Sequence, residues 1–258
     1  MATSKATATT TTFHALRNPS TRMYSAATLI TARTAGLIYL AIIGLGLFGE
    51  VVVRASLVVS GDAGATALGL LNSELLWRAG ISADLVMHVL DVPLIVFFYL
   101  LLKPVSHPLA LLATAFNLVQ TCILGLNKLL LVAALAMLKS AHLSAWQGDP
   151  EALAFLAIGL HSHGFAIGLI FFGFACLVRG HLMVRSGHVP PVLGILLGIA
   201  GASYLANSFA LLLVPALAAV LFPAVLVPAF IGELAVSLWL LFQRNAQLQQ
   251  RVSGRRWA

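Results

Sequence analysis

An all-α bundle of six membrane-crossing helices is the fold this sequence predicts, and three observations predict it. Of 258 residues, 60% are hydrophobic and 9% charged, against about 25% charged in a domain made for water. The apolar residues gather into six stretches, each long enough to cross a hydrocarbon layer of about 30 Å. Segments of about ten alternating residues, the mark of a membrane β-barrel, are missing. The net charge of +7 does not point to nucleic acid, because Lys and Arg flank the apolar stretches, where topology and anionic headgroups account for them. The expected partner is the lipid bilayer. Cys122 and Cys176 fall inside expected spans and give neither a disulfide framework nor metal-ligand spacing.

Residues 1–31 are rich in Thr and Ala, with Lys5, Arg17 and Arg22. They read as a disordered cytosolic tail, without the apolar core of a cleavable leader. The six-helix domain is expected over 32–243. Its first span runs from about Thr34 to Val59, with Glu50 and Arg54 four residues apart and able to pair. The stretch from Gly61 to Gly80 is too polar to span and reads as an amphipathic helix on the outer surface. There Asp62 is a cap, Glu74 and Arg78 a pair, and Trp77 an interfacial anchor. The second span, Ile81 to Leu102, carries Asp84, His88 and Asp91. At 100° per residue these lie at about 0°, 40° and −20°, on one narrow face.

The third span, about Leu109 to Met137, places Asn117, Gln120, Thr121, Asn127 and Lys128 along one stripe. Asp149-Pro150-Glu151 is a helix start, with a capping Asp, a Pro in the first turn and an acid against the dipole. The fourth span, Ala152 to Val178, holds His161 and His163. These are 200° apart, and the small neighbours Ala154, Ala157, Gly164 and Gly168 select His161 as the inward one. Arg179, His181, Arg185 and His188 read as a basic loop closed by Pro190-Pro191. The fifth span, Val192 to Pro215, carries Gly194, Gly198 and Gly201 on one side, a close-packing face that also offers contact to a second copy. Glu233 sits in the sixth span, Ala224 to Phe242, one turn from the carbonyl freed by Pro228. Residues 244–258 read as a basic cytosolic tail.

With six spans and a cytosolic N-terminus, the inner segments hold eleven Lys and Arg residues and the outer segments only Arg78 and Lys139. Both termini are therefore expected in the cytosol.

Particular residues carry a family resemblance. Arg33 with Gly36-Leu37-Ile38-Tyr39-Leu40, then Gly61-Asp62-Ala63 with Thr66, resembles the opening of the bacterial domain-of-unknown-function 4386 family. Phe172-Gly173-Phe174, Gly180-His181-Leu182 and Arg185-Ser186-Gly187-His188-Val189-Pro190, with Gly194 and Gly201, are similar to its most recognisable stretch. Glu233-Leu234 with Trp239-Leu240-Leu241 is similar to its closing helix. Pro191 departs from the basic residue usual after that proline. The resemblance implies a multi-pass bacterial membrane protein and supplies no activity; the expected location is the inner membrane.

Ionisable groups inside lipid are costly, about 2.5–3.5 kcal/mol for a central Asp, so they should face inward and mark a site. The candidates are Glu50, Arg54, Asp84, His88, Asp91, Lys128, His161 and Glu233, expected as one layer in the outer half of the membrane. Three functions fit such a layer. One is a binding or transport site for a proton, cation or small solute. Another is a zinc hydrolase acting on a lipid-like substrate, with His88, Asp91 and His161 as ligands and an open position for water. The last is a structural or regulatory partner whose pairs Glu50–Arg54, Asp84–Lys128 and His88–Asp91 only fix helix packing. Haem held by His88 and His161 is the least favoured cofactor.

Overall fold

The computed structural model describes residues 31–140, 148–221 and 223–243. The tail expectations for 1–30 and 244–258, and His142, lie outside the described residues. All regular structure among the described residues is helical. Six helices are long and apolar enough to cross a membrane, with mean hydropathy from 1.7 to 2.3. Their bounds are Ala32–Leu57 (α1), Glu74–Leu102 (α3), His107–Lys139 (α4), Pro150–Ser186 (α5), Pro191–Leu213 (α6) and Ala224–Phe242 (α8). Two short helices, Ala63–Asn72 (α2) and Pro215–Leu221 (α7), lie between spans. The sixth span opens with a 3-10 turn, Ala224–Leu226. Pro228 therefore stands at the start of its α-helical part instead of inside it, where its missing N–H breaks no hydrogen bond.

Each span packs against the next, α1 on α3, α3 on α4, α4 on α5, α5 on α6 and α6 on α8, and α8 returns to α1. The six spans thus form a closed ring. Outward faces stay apolar: Val89 is 69% exposed, Leu126 68% and Leu129 64%. Such a surface suits lipid, whose tails are as apolar as the side chains. Backbones meet closely where α5 crosses α6. A Cβ on Gly194 would stand 2.6 Å from the carbonyl oxygen of Gly180, and one on Gly201 2.6 Å from that of Gly173. The glycine face expected to receive a second copy is therefore occupied within the chain at Gly194 and Gly201; Gly198 faces Gly180 in the same seam.

Several boundaries differ from the sequence reading for identifiable reasons. Gly61–Gly80 is divided at Ser73: α2 takes its first half, capped by Asp62, which accepts from Ala65 N at 2.8 Å. Its second half belongs to α3. Trp77 is 1% exposed and donates its indole N–H to the carbonyl of Leu131 at 3.0 Å, so it serves as a core anchor between α3 and α4. Asp149 caps α5 as expected, accepting from Glu151 N and Ala152 N. That helix continues to Ser186 and stops where Gly187 takes φ 63°, a left-handed turn that glycine adopts without cost. The expected basic loop is therefore mostly helix. Arg179 is buried within it, and His188 is buried at the bend.

Candidate functional site

Toward the C-terminal end of α1 the winding widens into a π-helical stretch, Phe48–Arg54. Wide turns of this kind are rare and change which face the following residues present. Here the stretch carries both Glu50 and Arg54. A Cβ at Gly49 would run into the Asp84 carboxylate, so the glycine is what lets α1 and α3 close up at this point. Arg54 then reaches two acids: Nε is 2.7 Å from Glu50 Oε2 and Nη1 is 2.6 Å from Asp84 Oδ2. Lys128 of α4 approaches the same Asp84 oxygen at 2.9 Å. Its Nζ also donates to His161 Nε2 of α5 at 3.2 Å, since an ammonium can only donate. Asn127 donates to the His161 carbonyl at 2.8 Å.

Asp84 and Lys128 are 0% and 2% exposed, yet every charge has an opposite partner. Two acids balance two bases across three helices, and His161 ties in a fourth. Glu50–Arg54 and Asp84–Lys128 pair as the sequence predicted, and His161 is the inward histidine while His163 is exposed. The polar stripe on α4 is buried as expected, at Asn117, Gln120, Asn127 and Lys128.

The ionisable residues nevertheless form two groups. Asp91 lies two turns beyond Asp84, about 10 Å along α3. Its Oδ2 accepts from Thr121 Oγ1 at 2.9 Å, and Asn117 supports the neighbouring Gln120 at 2.6 Å. Glu233 of α8 accepts from the Tyr204 hydroxyl of α6, with Tyr39 of α1 beside the same carboxyl. Arg179 of α5 lines the same cavity as these acids; it is 4% exposed, its guanidinium 4.8 Å from the centre of the Phe98 ring. Its Nη2 has no hydrogen-bond partner, and Arg179 makes no ion pair among the described residues. Arg179, Tyr39 and Tyr204 were not among the sequence candidates. Arg179 lies at the expected end of a span beside other basic residues, and phenols in apolar stretches resemble ordinary core. The usable signal was a helical extension of the fourth span, placing Arg179 five turns beyond His161 on the same side.

Two expectations are corrected. His88 does not pair with Asp91; both its ring nitrogens are buried without a partner among the described residues. The proposed zinc set of His88, Asp91 and His161 is not assembled either. Among the described residues no three His, Cys, Asp or Glu side chains are grouped to hold a metal. His161 Nε2 is engaged by Lys128, and Asp91 belongs to the other group. The same engagement of His161 removes the His88–His161 pair considered for haem.

Both groups border one cavity of about 260 Å³ in the middle of the ring. Glu50, Arg54, Asp84 and Lys128 line one end; Asp91, Arg179, Tyr204 and Glu233 line the other. Apolar side chains of α1, α4 and α5, among them Ile42, Leu124 and Leu169, form the wall between.

A ring of six apolar helices around an ionisable cavity defines a multi-pass membrane protein. The chain belongs to the family described as Domain of unknown function (DUF4386), whose profile matches residues 34–243. No curated protein and no solved structure matches it.

Proposed function

We propose that the protein binds a small solute in its central cavity and moves it across the membrane, the ionisable lining supplying charge partners for that solute and for a proton or cation. The cavity itself carries this reading. All six spans contribute to it, and its lining combines an apolar wall with polar ends, the usual make-up of small-molecule sites. Four lining carboxylates, Glu50, Asp84, Asp91 and Glu233, face three lining cations, Arg54, Lys128 and Arg179. One excess negative charge favours uptake of a proton or a monovalent cation. With both termini in the cytosol, as the distribution of Lys and Arg argues, the Asp84 end lies in the outer half. In this reading α2 rests on the outer surface, and a bacterial inner membrane is the host.

Access to the cavity is the direct test. In a chain with Cys122 and Cys176 replaced by Ala, Leu169→Cys should react with a small water-soluble methanethiosulfonate reagent in intact membranes. Leu131→Cys, also buried but not among the residues lining the cavity, should not. Equal protection of both positions would leave a packed bundle without a holding site and end the proposal.

A further inference from the structure

Three features of the Arg179 end bear on what the cavity holds. Arg179 is always ionised, more than nine-tenths buried and lines the cavity, yet one guanidinium nitrogen has no acceptor among the described residues. The acids lining the same end do not supply one: Asp91 is held by Thr121 with Gln120 beside it, and Glu233 by Tyr204 with Tyr39 beside it. Each of those bonds uses one carboxylate oxygen, and a carboxylate has about four lone-pair sites. The end thus offers one unmatched cationic donor and two acids with capacity for another donor. A lone anion would satisfy Arg179 but sit against two carboxylates. A lone cation would satisfy the acids and leave Arg179 as it is. A ligand carrying both charges answers both demands.

We propose that the Asp91–Arg179–Glu233 end of the cavity is a subsite for a small zwitterion with an apolar substituent, its carboxylate on Arg179 and its ammonium between Asp91 and Glu233. Size and lining agree with this. At about 30 Å³ per water-sized group, 260 Å³ holds about nine non-hydrogen atoms, the dimension of an aliphatic α-amino acid. The wall of Ile42, Leu94, Leu124 and Leu169 receives the aliphatic part, and the guanidinium fork matches a carboxylate in two parallel hydrogen bonds. This assignment rests on the cavity being the holding site.

The test compares one ligand with its two halves on the full chain in phosphatidylcholine nanodiscs, with empty nanodiscs as the blank. L-leucine carries both charges, 3-methylbutylamine only the ammonium, and 4-methylpentanoate only the carboxylate. Leucine should bind saturably, one per chain, at least tenfold tighter than either half. Arg179→Gln should bring leucine down to the affinity of the amine while leaving the amine unchanged. Glu233→Gln should bring it down toward the acid, and Arg78→Gln, on the surface, should alter nothing. Should Arg179→Gln fail to fold, Arg179→Lys keeps the charge and loses the fork, and the three-ligand comparison on the unaltered chain stands without any variant. Acid binding as tight as leucine identifies a plain anion site, and amine binding as tight a plain cation site; either overturns the assignment. It also falls if none of the three binds while Leu169→Cys remains reactive, an outcome that spares the cavity reading. An unreactive Leu169→Cys removes the cavity reading itself.

Discussion

The two ends of the cavity are built from the same residue types and differ in how completely they are paired. At the Asp84 end, two acids and two bases lie within 2.6–2.9 Å of an opposite charge, and His161 closes the network. At the Arg179 end, hydroxyl groups hold the acids, and the base contacts an aromatic ring. A saturated buried network fixes one arrangement of its helices, because any slip strands a charge in a low-dielectric interior. An unsaturated one keeps capacity for something not yet bound. The contrast separates a device that positions α1, α3, α4 and α5 from a surface that can recognise a ligand.

Substitutions can break this contrast or sharpen it. The largest effect is expected at Asp84. Asp84→Ala leaves Arg54 and Lys128 facing each other without their shared acid, at a cost of about 3–5 kcal/mol. Thermal unfolding in detergent reads this, and a loss below about 1 kcal/mol would show that the network does not hold the helices. The paired change Asp84→Leu with Lys128→Met should cost less than Asp84→Ala alone, since no unmatched ammonium remains at that position. Next comes Gly49→Ala, whose new methyl group meets the Asp84 carboxylate. Overpacking of this kind costs about 1–3 kcal/mol, and unfolding midpoints check it. Tyr204→Phe removes one hydrogen bond to Glu233 and should cost about 0.5–1.5 kcal/mol; a larger drop would assign that end a holding role too. The smallest effect is expected at His88. With no hydrogen bond to lose among the described residues, His88→Leu should change stability by less than about 1 kcal/mol or raise it. A marked destabilisation would mean that the imidazole has a partner bound in the membrane.

Much of the architecture was legible because lipid imposes strict terms on sequence. Six apolar stretches had to be helices, since only helices and closed barrels satisfy their backbone in hydrocarbon. The i,i+4 spacing of Glu50 and Arg54 and the stripe from Asn117 to Lys128 follow from 3.6-residue geometry alone. What escaped was decided between helices. Nothing local to Phe48–Arg54 announces wider winding; the contact of Gly49 with Asp84 belongs to two spans at once. Trp77 has the composition of an interfacial anchor and is instead claimed by the Leu131 carbonyl. His88 and Asp91 share a helix face, but a shared face is broad enough for Asp91 to meet Thr121 while His88 makes no hydrogen bond among the described residues. Arg179 was placed in a loop because charge beside glycine reads as a boundary. Only the continuation of α5 to Gly187 brings it inside.

Closure of the ring has a consequence for biogenesis. The contact that seals it joins the first span to the last: a Cβ on Gly36 would meet the backbone nitrogen of Leu241 at 2.5 Å. Chains emerge N-terminus first, so the groove around Gly36 waits open until the final apolar stretch is synthesised. Glu233 arrives with that stretch. The five earlier helices can be inserted by then, but the compartment between them has no sixth wall and lacks one of its acids. Translation stalled before Ala224 would therefore leave an inserted, unsealed intermediate with Arg179 open to the bilayer, and maturation hinges on the last helix docking against the first.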